Sequence, residues 1–327
     1  MSSAALTSGK AQSSAFAVRH AGLFLPLLMV VFIIAFSILA PGTFASPRTA
    51  ITLLRTESVS AILAIALLFP LIVGEFDLSV GANLGLSAIL VTGLPSLQGF
   101  NLGIAIPVAI IACGTVGLIN GLLVAKIGIN ALVATLGTSV IVTGSVFWYT
   151  DGNVIFSDIP EALPLLAQGN ILGIPIPAYF LLGVGLAAGY TLQHTPLGRY
   201  FYAIGGSKDA ARLSGLNVDN LTVLSFVIAG VLAGIAGVLQ SALLGSGNPN
   251  VGPAFLLPAF AAAFLGATAI QIGRFNVLGT IIAVFTVAIG INGLQLLGVP
   301  FYVAPIFQGL SLIAAVSAAR MLRGSRI

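Results

Sequence analysis

Two carboxylates stand two residues apart in the stretch 74–85, GEFDLSVGANLG, between one apolar run and the next. Glu75 and Asp77 in such surroundings could relay protons, bind a metal ion or cap a helix. A proton relay needs a chain of further acids or histidines, and a metal site needs other ligands at suitable spacing. The sequence supplies neither around Asp77. We therefore expect Asp77 and Ser79 to satisfy N–H groups where the next helix begins, and direct contact with a bound molecule is the alternative.

Motifs for catalysis or cofactor binding are absent from the sequence. It contains no phosphate-binding G-x-x-x-x-G-K-[ST] motif and no serine hydrolase G-x-S-x-G motif. Its histidines, His20 and His194, have no partner at metal-ligand spacing. We therefore predict no catalytic residue, no bound cofactor and no metal site on this chain.

The composition determines the class of protein. Of 327 residues, 58% are hydrophobic, 6% are charged and 39 are glycines. Soluble proteins carry about 25% charged residues, so this chain cannot cover a surface that faces water. Frequent glycine without a collagen period fits close packing of helices in lipid. The sequence predicts a polytopic membrane protein with no nucleic-acid partner.

Continuous apolar runs predict an all-α protein with about ten transmembrane helices, because a helix needs about 20 residues to cross a bilayer. These runs form one transmembrane domain over 22–319, flanked by an N-terminal tail, 1–21, and a basic C-terminal tail, 320–327. The predicted spans are 22–40, 50–70, 79–95, 102–125, 131–149, 176–192, 221–243, 255–271, 277–297 and 302–319.

The basic residues predict the orientation, since they are enriched in cytoplasmic loops. With both termini in the cytoplasm, only Arg48 and Arg55 of the 12 basic residues fall on or near the outer side. The loop that follows the fifth span, 150–175, would lie outside. The basic residues on the inner side are Lys10, Arg19, Lys126, Arg199, Lys208, Arg212, Arg274, Arg320, Arg323 and Arg326.

Two stretches resemble each other and predict an inverted internal repeat of five plus five spans. INGLLVAKIGINALVATLGTSVI begins at Ile119, and INGLQLLGVPFYVAPIFQGLSLI begins at Ile291. In register they share Ile-Asn-Gly-Leu and, further on, a glycine, a serine and an isoleucine. The two copies lie five spans apart, and an odd number of spans makes them cross the membrane in opposite directions.

The longest inner polar segment lies within the predicted cytoplasmic loop 193–220. We expect a short helix that begins near Ser207, has Asp209 in its first turn and ends at Gly215. An ordinary amphipathic linker would have the same features. Small residues four apart in the spans are interpreted as helix-packing positions: Gly81 and Gly85, Gly117 and Gly121, and Gly230 and Gly234.

Four stretches occur in order and carry a family resemblance: GEFDLSVGANLGL, NGLLVAKIGINALVATLGT, TPLGRYFYAIGGSKDAARLSGLNV and INGLQLLGV. Together they resemble the permease subunits of ribose- and xylose-type bacterial ABC importers over about residues 50–319. The resemblance implies a multi-pass protein of the bacterial inner membrane. It also implies a periplasmic sugar-binding protein, a second permease copy or paralogue, and a separate ATP-binding subunit that holds the ATP and magnesium.

The resemblance identifies the inner-loop helix as the segment that docks on the ATP-binding subunit. The residues it assigns to this coupling are Gly205, Gly206, Asp209, Ala210, Ala211, Arg212 and Gly215. We expect Ala210 and Ala211 to form the apolar knob that enters the ATPase. The candidate pathway or signature residues are Asp77, Ser79, Asn83, Asn120, Asn292 and Gln295, which could equally bond between helices.

The implied cargo is a sugar of the pentose or hexose class, with a branched-chain amino acid or a nucleoside as alternatives. An ion-coupled secondary carrier is disfavoured because the spans hold little charge. One departure from the family pattern bears on cargo. Leu256, Leu257 and Pro258 stand where related permeases commonly carry Glu-Leu-Asp.

Overall fold

The computed structural model describes residues 22–324, with side chains for all of these except 315 and 318–324. The predicted tail 1–21 lies outside the described residues, and 320–324 of the predicted C-terminal tail continue the last helix. Within this part of the chain the elements are α1 Phe24–Leu39, α2 Pro47–Ile72, α3 Val80–Gln98, α4 Leu102–Ala125, α5 Ala131–Thr150, α6 Ala162–Gln168, β1 Asn170–Ile171, β2 Ile174–Pro175, α7 Ile176–His194, α8 Pro196–Gly206, α9 Lys208–Leu213, α10 Val218–Leu244, α11 Pro253–Gly266, α12 Val277–Leu296 and α13 Val303–Gly324.

The helices match an all-α polytopic membrane protein. Seven helices in the described residues are long and apolar enough to cross a membrane: α2, α3, α4, α5, α7, α10 and α12. The apolar parts of α1, α11 and α13 are shorter, at 10–17 residues. Each predicted span overlaps one of these ten helices, and whether the three shorter helices cross the membrane stays a prediction.

The predicted eighth span, 255–271, ends too late. Its helix, α11, ends at Gly266, because the chain then turns through Ile270 and Gly273, both with positive φ. Asn276 starts the next helix by accepting a hydrogen bond from the Gly279 N–H at 2.7 Å. The irregular segment 267–276 therefore replaces the last turn of the predicted span.

The core of the bundle is formed by α2 and α10, which pack against each other. The second half of α2, from Ala61 to Ile72, is buried on every side. A helix that is apolar all round must be surrounded by other elements, and α2 also contacts α7, α11 and α12. A displacement of α2 would therefore shift the helices that pack against it, α7, α10, α11 and α12.

The helix contacts have an internal correspondence. α10 packs on α3 and α4, and α2 packs on α11 and α12, which are the helices that a five-span repeat would pair with them. The repeat also matches α3 with α11, α4 with α12 and α5 with α13. Helix contacts occur in both halves for each matched pair: α3–α4 and α11–α12, α3–α5 and α11–α13, and α4–α5 and α12–α13. Asn101 and Asn276 also cap the corresponding helices α4 and α12. The contacts therefore have the pattern that a repeat of five plus five spans would produce, and the repeat itself stays a prediction.

Glycines bring α4 and α10 into backbone contact. A Cβ added at Gly117 would meet the Phe226 carbonyl, and one added at Gly230 would meet the Cys113 carbonyl. A Cβ at Gly234 would lie 3.2 Å from the Ile110 Cα. Two of the three predicted glycine pairs, 117/121 and 230/234, therefore occupy the crossing of these two helices, as expected for close packing in lipid, whereas Gly81 and Gly85 of α3 approach Gly252.

Candidate functional site

Asp77 and Ser79 lie in the turn between α2 and α3, and both side chains are fully buried. Asp77 Oδ1 accepts hydrogen bonds from the Ser79 N–H at 2.9 Å and from the Ser79 hydroxyl at 2.6 Å. Ser79 is the residue before α3, and no side chain binds the first-turn N–H groups of that helix. Asp77 therefore satisfies the N–H of Ser79 but does not reach the first turn of α3, and the Ser79 hydroxyl does not cap that helix, so the predicted cap is not formed.

Asn120 joins this turn to two helices. Its Nδ2 donates to the Ser79 hydroxyl at 2.8 Å, and its Oδ1 accepts from the Thr138 hydroxyl at 2.6 Å. Asn120 is fully buried, so it bonds between α4, α5 and the α2–α3 turn. Asn83 is buried as well, and neither atom of its amide has a hydrogen-bond partner among the described residues. The structure therefore places these two candidates inside the bundle.

The remaining oxygen of the carboxylate, Asp77 Oδ2, is buried and has no hydrogen-bond partner in the described part of the chain. Burial raises the pKa of Asp77 to about 6, and the hydrogen bonds from Ser79 oppose this rise. The groups linked to Asp77 are the uncharged Ser79, Asn120 and Thr138. Such a network fixes the turn and contains no second titratable group that would take up a proton from Asp77.

Asn292 and Gln295 lie elsewhere, in a pocket of about 330 Å³ between α2, α11, α12 and α13. Seven hydrogen-bonding side chains line it: Thr52, Thr56, Glu57, Ser60, Asn292, Gln295 and Gln308. Pro258, part of the departure from the family pattern, lines the same pocket. We name this the polar pocket.

Sequence reasoning missed the contributions of Glu57 and Gln308 to the polar pocket. A signal for the α2 contribution existed, because Thr52, Thr56 and Ser60 are spaced four apart and so share one helix face with Glu57. No signal in sequence placed Gln308 opposite that face. The position of Gln308 depends on how α13 packs against α11 and α12, which the sequence does not show.

The predicted inner-loop helix is present as α9. The Ser207 hydroxyl accepts a hydrogen bond from the Ala210 N–H at 3.2 Å, and Gly215 follows the helix with a φ of +83°. Arg212 pairs with Asp219 at 2.8 Å, which ties α9 to the start of α10. The cap, the first-turn acid and the terminating glycine are therefore as predicted.

The predicted apolar knob is partly wrong. Ala211 is only 4% exposed and packs into the main core, because α9 folds back on the bundle and turns this side chain inwards. Ala210 is exposed, and so is Leu213, at 90%. Leu213, which the sequence analysis did not single out, is the large apolar side chain that α9 presents outwards.

The segment α8–α9 is fastened to the end of α2 and to the segment before α12. A Cβ at Gly205 would collide with the Ile72 carbonyl, so the backbones touch there. Lys208 forms a salt bridge with Glu75. Beyond Gly205, a Cβ at Gly206 would meet nothing within 4 Å, so only one of the two glycines is required by packing.

Tyr202 makes the second attachment. Its hydroxyl donates to the Phe275 carbonyl at 2.6 Å, and the Arg274 guanidinium lies 4.1 Å from the centre of its ring. Burial raises the pKa of Tyr202, and the charge of Arg274 opposes the rise. The phenol therefore keeps its proton and the hydrogen bond at neutral pH.

The chain is similar to known membrane permeases over most of its length. Residues 49–316 match the family described as branched-chain amino acid transport system / permease component. The chain is 34% identical to the ribose import permease RbsC of Haemophilus influenzae, over 89% of this chain and 91% of that protein. It is 36% identical to the ribose import permease RbsC of Bacillus subtilis, over 91% and 92%.

More distant relatives act on other sugars. The D-allose transport system permease AlsC of Escherichia coli is 32% identical over 90% of both chains. No solved structure shows significant similarity to this chain. Since one family profile covers most of the sequence and import permeases align along nearly their whole length, the chain belongs to the branched-chain amino acid transport system / permease component family of membrane permeases.

Proposed function

We propose that this protein is the transmembrane permease subunit of an ABC importer and forms the translocation pathway for a sugar. The observation that carries this proposal is the full-length similarity to import permeases for ribose and allose. The polar pocket agrees with it, because it is lined by amide, hydroxyl and carboxylate groups that bind hydroxyls. The chain itself performs no chemistry on the sugar.

A branched-chain amino acid, which the family description names, is the second candidate cargo. A cationic side chain binds the carboxylate of such a cargo more strongly than neutral donors do. No Lys, Arg or His lines the polar pocket, whose side chains are all described. The pocket therefore favours an uncharged cargo over an amino acid.

We further propose the partners that such an importer needs. A separate subunit binds ATP and magnesium and hydrolyses the nucleotide, a periplasmic binding protein delivers the sugar, and a second permease copy or paralogue completes the pathway in the bacterial inner membrane. The exposed face of α9, with Leu213 at its end, is the surface that we assign to the ATP-binding subunit.

Coupling between the two sites runs through α2 in this proposal. The attachment of α8–α9 lies at its end, Ile72, and Glu57 of the polar pocket lies 15 residues earlier, roughly 22 Å along the axis. Movement of α8–α9 when the ATPase closes would displace this end of α2. Because α2 is packed on all sides there, it would move as a rigid rod and carry the pocket wall with it.

Docking of the ATP-binding subunit can be tested at Leu213. We expect Leu213→Glu to reduce co-purification of that subunit and sugar uptake together, by about tenfold or more, because a charge replaces the exposed apolar contact. Leu172→Glu is the matched control, since Leu172 is 95% exposed but lies in the β1–β2 turn. Wild-type ATPase association in the Leu213 variant would refute the assignment of this surface.

The proposed orientation places both termini in the cytoplasm, with about ten crossings arranged as an inverted repeat. Arg55, in the first half of α2, donates to Asn170 Oδ1 at 2.9 Å, whereas Gly205 contacts the last residue of α2. The hairpin formed by β1 and β2 and the helix α8 thus lie towards opposite ends of the spanning helix α2.

Reporter fusions that end at Gly169 and at Gly205 test this orientation. We expect the fusion at Gly169 to report the periplasm and the fusion at Gly205 to report the cytoplasm, because the spanning helix α7 separates them. A reporter that is active only in one compartment, such as alkaline phosphatase, distinguishes the two. The same compartment for both fusions would contradict the span assignment and the repeat.

A further inference from the structure

We propose that the polar pocket is a low-affinity sugar-binding site within the permease, in which Glu57 accepts a hydrogen bond from a sugar hydroxyl. This inference rests on the proposed function and adds to it a site, a ligand class and a residue that determines recognition.

The polar pocket cannot face lipid. Thr52, Thr56 and Gln295 are exposed in the isolated chain, and Glu57 is half-buried beside them. An acid and several amides in contact with hydrocarbon would each be costly, so polar groups within membrane spans face water or other protein. The pocket lies on the half of α2 nearer the β1–β2 hairpin, away from α8–α9, which is the side from which cargo would be delivered in the proposed orientation.

The groups inside the pocket keep hydrogen-bonding capacity for a ligand. Among the described residues Glu57 forms no salt bridge, and its carboxylate accepts hydrogen bonds only from neighbours on α2, from the Thr56 hydroxyl at 3.4 Å and from the Ser60 hydroxyl, which leaves lone pairs of its two oxygens unused. Arg55, two residues earlier, is directed to Asn170 instead. Asn292 Oδ1 is buried and accepts no hydrogen bond from any residue that the structure describes. A buried acceptor without a partner costs free energy, and a ligand hydroxyl would satisfy it.

Asn120 and Asn292 differ in their hydrogen bonds. Asn120 and Asn292 occupy the same place in the two similar stretches, each preceding a Gly-Leu pair. Asn120 is saturated by Ser79 and Thr138, whereas Asn292 has an unpaired oxygen in a pocket. The first asparagine holds helices together, and the second is available to a ligand.

The size and the lining of the pocket indicate the ligand class. A volume of about 330 Å³ lies at the lower end of the range for small-molecule sites, about 300–1,000 Å³, which suits a monosaccharide. Carboxylate and amide oxygens accept hydrogen bonds from hydroxyls, and amide N–H groups donate to them. The lining residues, all of which the structure describes, include no cation, which disfavours a phosphorylated or acidic molecule. No aromatic side chain lines the pocket, so a sugar ring would not be held by stacking and could leave again.

Thiol labelling of the assembled importer tests the site. Cys113 is fully buried, so a cysteine introduced by Thr56→Cys is the accessible thiol among the described residues. We expect a water-soluble thiol reagent to modify it, and we expect D-ribose, D-allose, L-arabinose or D-xylose to slow this reaction. L-leucine, which lacks hydroxyls on its side chain, should not slow it. Leu172→Cys, exposed on the hairpin, is the control that sugar should leave unchanged.

Adding Glu57→Gln to the Thr56→Cys protein tests the residue. The amide preserves size but is a weaker acceptor than a carboxylate, so half-protection should need about ten times more sugar. An unreactive thiol, the lack of protection by any of the four sugars, equal protection by leucine, or unchanged protection after Glu57→Gln would each overturn the inference. Vesicles that contain the assembled importer distinguish two failures. If they take up sugar but sugar does not protect the thiol, this site alone is overturned. If they take up none of the sugars, the proposed function is overturned.

Discussion

Gly205→Val is expected to reduce sugar uptake by more than tenfold, while Gly206→Val, one residue further on, leaves it close to the wild-type rate. A side chain at Gly205 would occupy the position of the Ile72 carbonyl, whereas a Cβ at Gly206 would meet nothing within 4 Å. Neither glycine has a positive φ, so the two substitutions differ in packing and not in backbone strain. The pair therefore isolates the contact between α8 and α2.

The loss should affect coupling more than insertion. Forcing α8 away from α2 costs about 1–3 kcal/mol of packing and strains the nearby Lys208–Glu75 and Tyr202–Phe275 contacts. The apolar spans are untouched, so the protein should still reach the membrane. We expect fewer sugar molecules to be imported per ATP hydrolysed, measured in vesicles that contain the whole importer.

Two outcomes would contradict the role of the α8–α2 contact in coupling. If the Gly205 variant imported sugar with the wild-type ratio to ATP, contact between α8 and α2 would not transmit the movement. If Gly205→Val and Gly206→Val were equally defective, the effect would come from glycine flexibility in α8. Membrane amounts of each variant, measured by quantitative immunoblotting, complete the comparison.

Local rules explain why α9 could be predicted from the sequence. A serine before the helix, an acid in its first turn and a glycine after it act within a few residues of each other. All three are found in the structure at Ser207, Asp209 and Gly215. The inward orientation of Ala211 was not predictable in this way, because it depends on how α9 packs on the distant core.

The apolar runs were predictable for a similar reason, since length and hydrophobicity are local. Their ends were less so where the chain turns within an apolar stretch, as after Gly266. The polar pocket required tertiary structure: Glu57 and Asn292 are far apart in sequence and are brought together by the packing of α2 on α12. The sequence indicated Asn292 and Asn120 equally, and only their hydrogen bonds separate them.

Gly230→Leu is expected to remove most of the folded protein, because no side-chain movement can make room for the new group. A Cβ at Gly230 would meet the Cys113 carbonyl and lie 3.4 Å from the Gly114 Cα. Both obstacles are backbone, so α10 and α4 would have to separate along their crossing. Such separation would also open the contacts at Gly117 and Gly234, which makes the cost larger than that of a single overpacked side chain.

Gly189→Leu is the matched control for hydrophobicity and helix propensity. Gly189 lies within α7, and a Cβ there would meet nothing within 4 Å. We expect this variant to keep the wild-type yield and thermal midpoint in detergent, whereas Gly230→Leu should lose monodisperse protein in gel filtration and lower the midpoint of what remains. Because lipid offers little hydrophobic drive for helices to associate, the close approach at these glycines supplies packing that larger residues cannot replace. An unchanged midpoint for Gly230→Leu would mean that the α4–α10 crossing does not hold the bundle together.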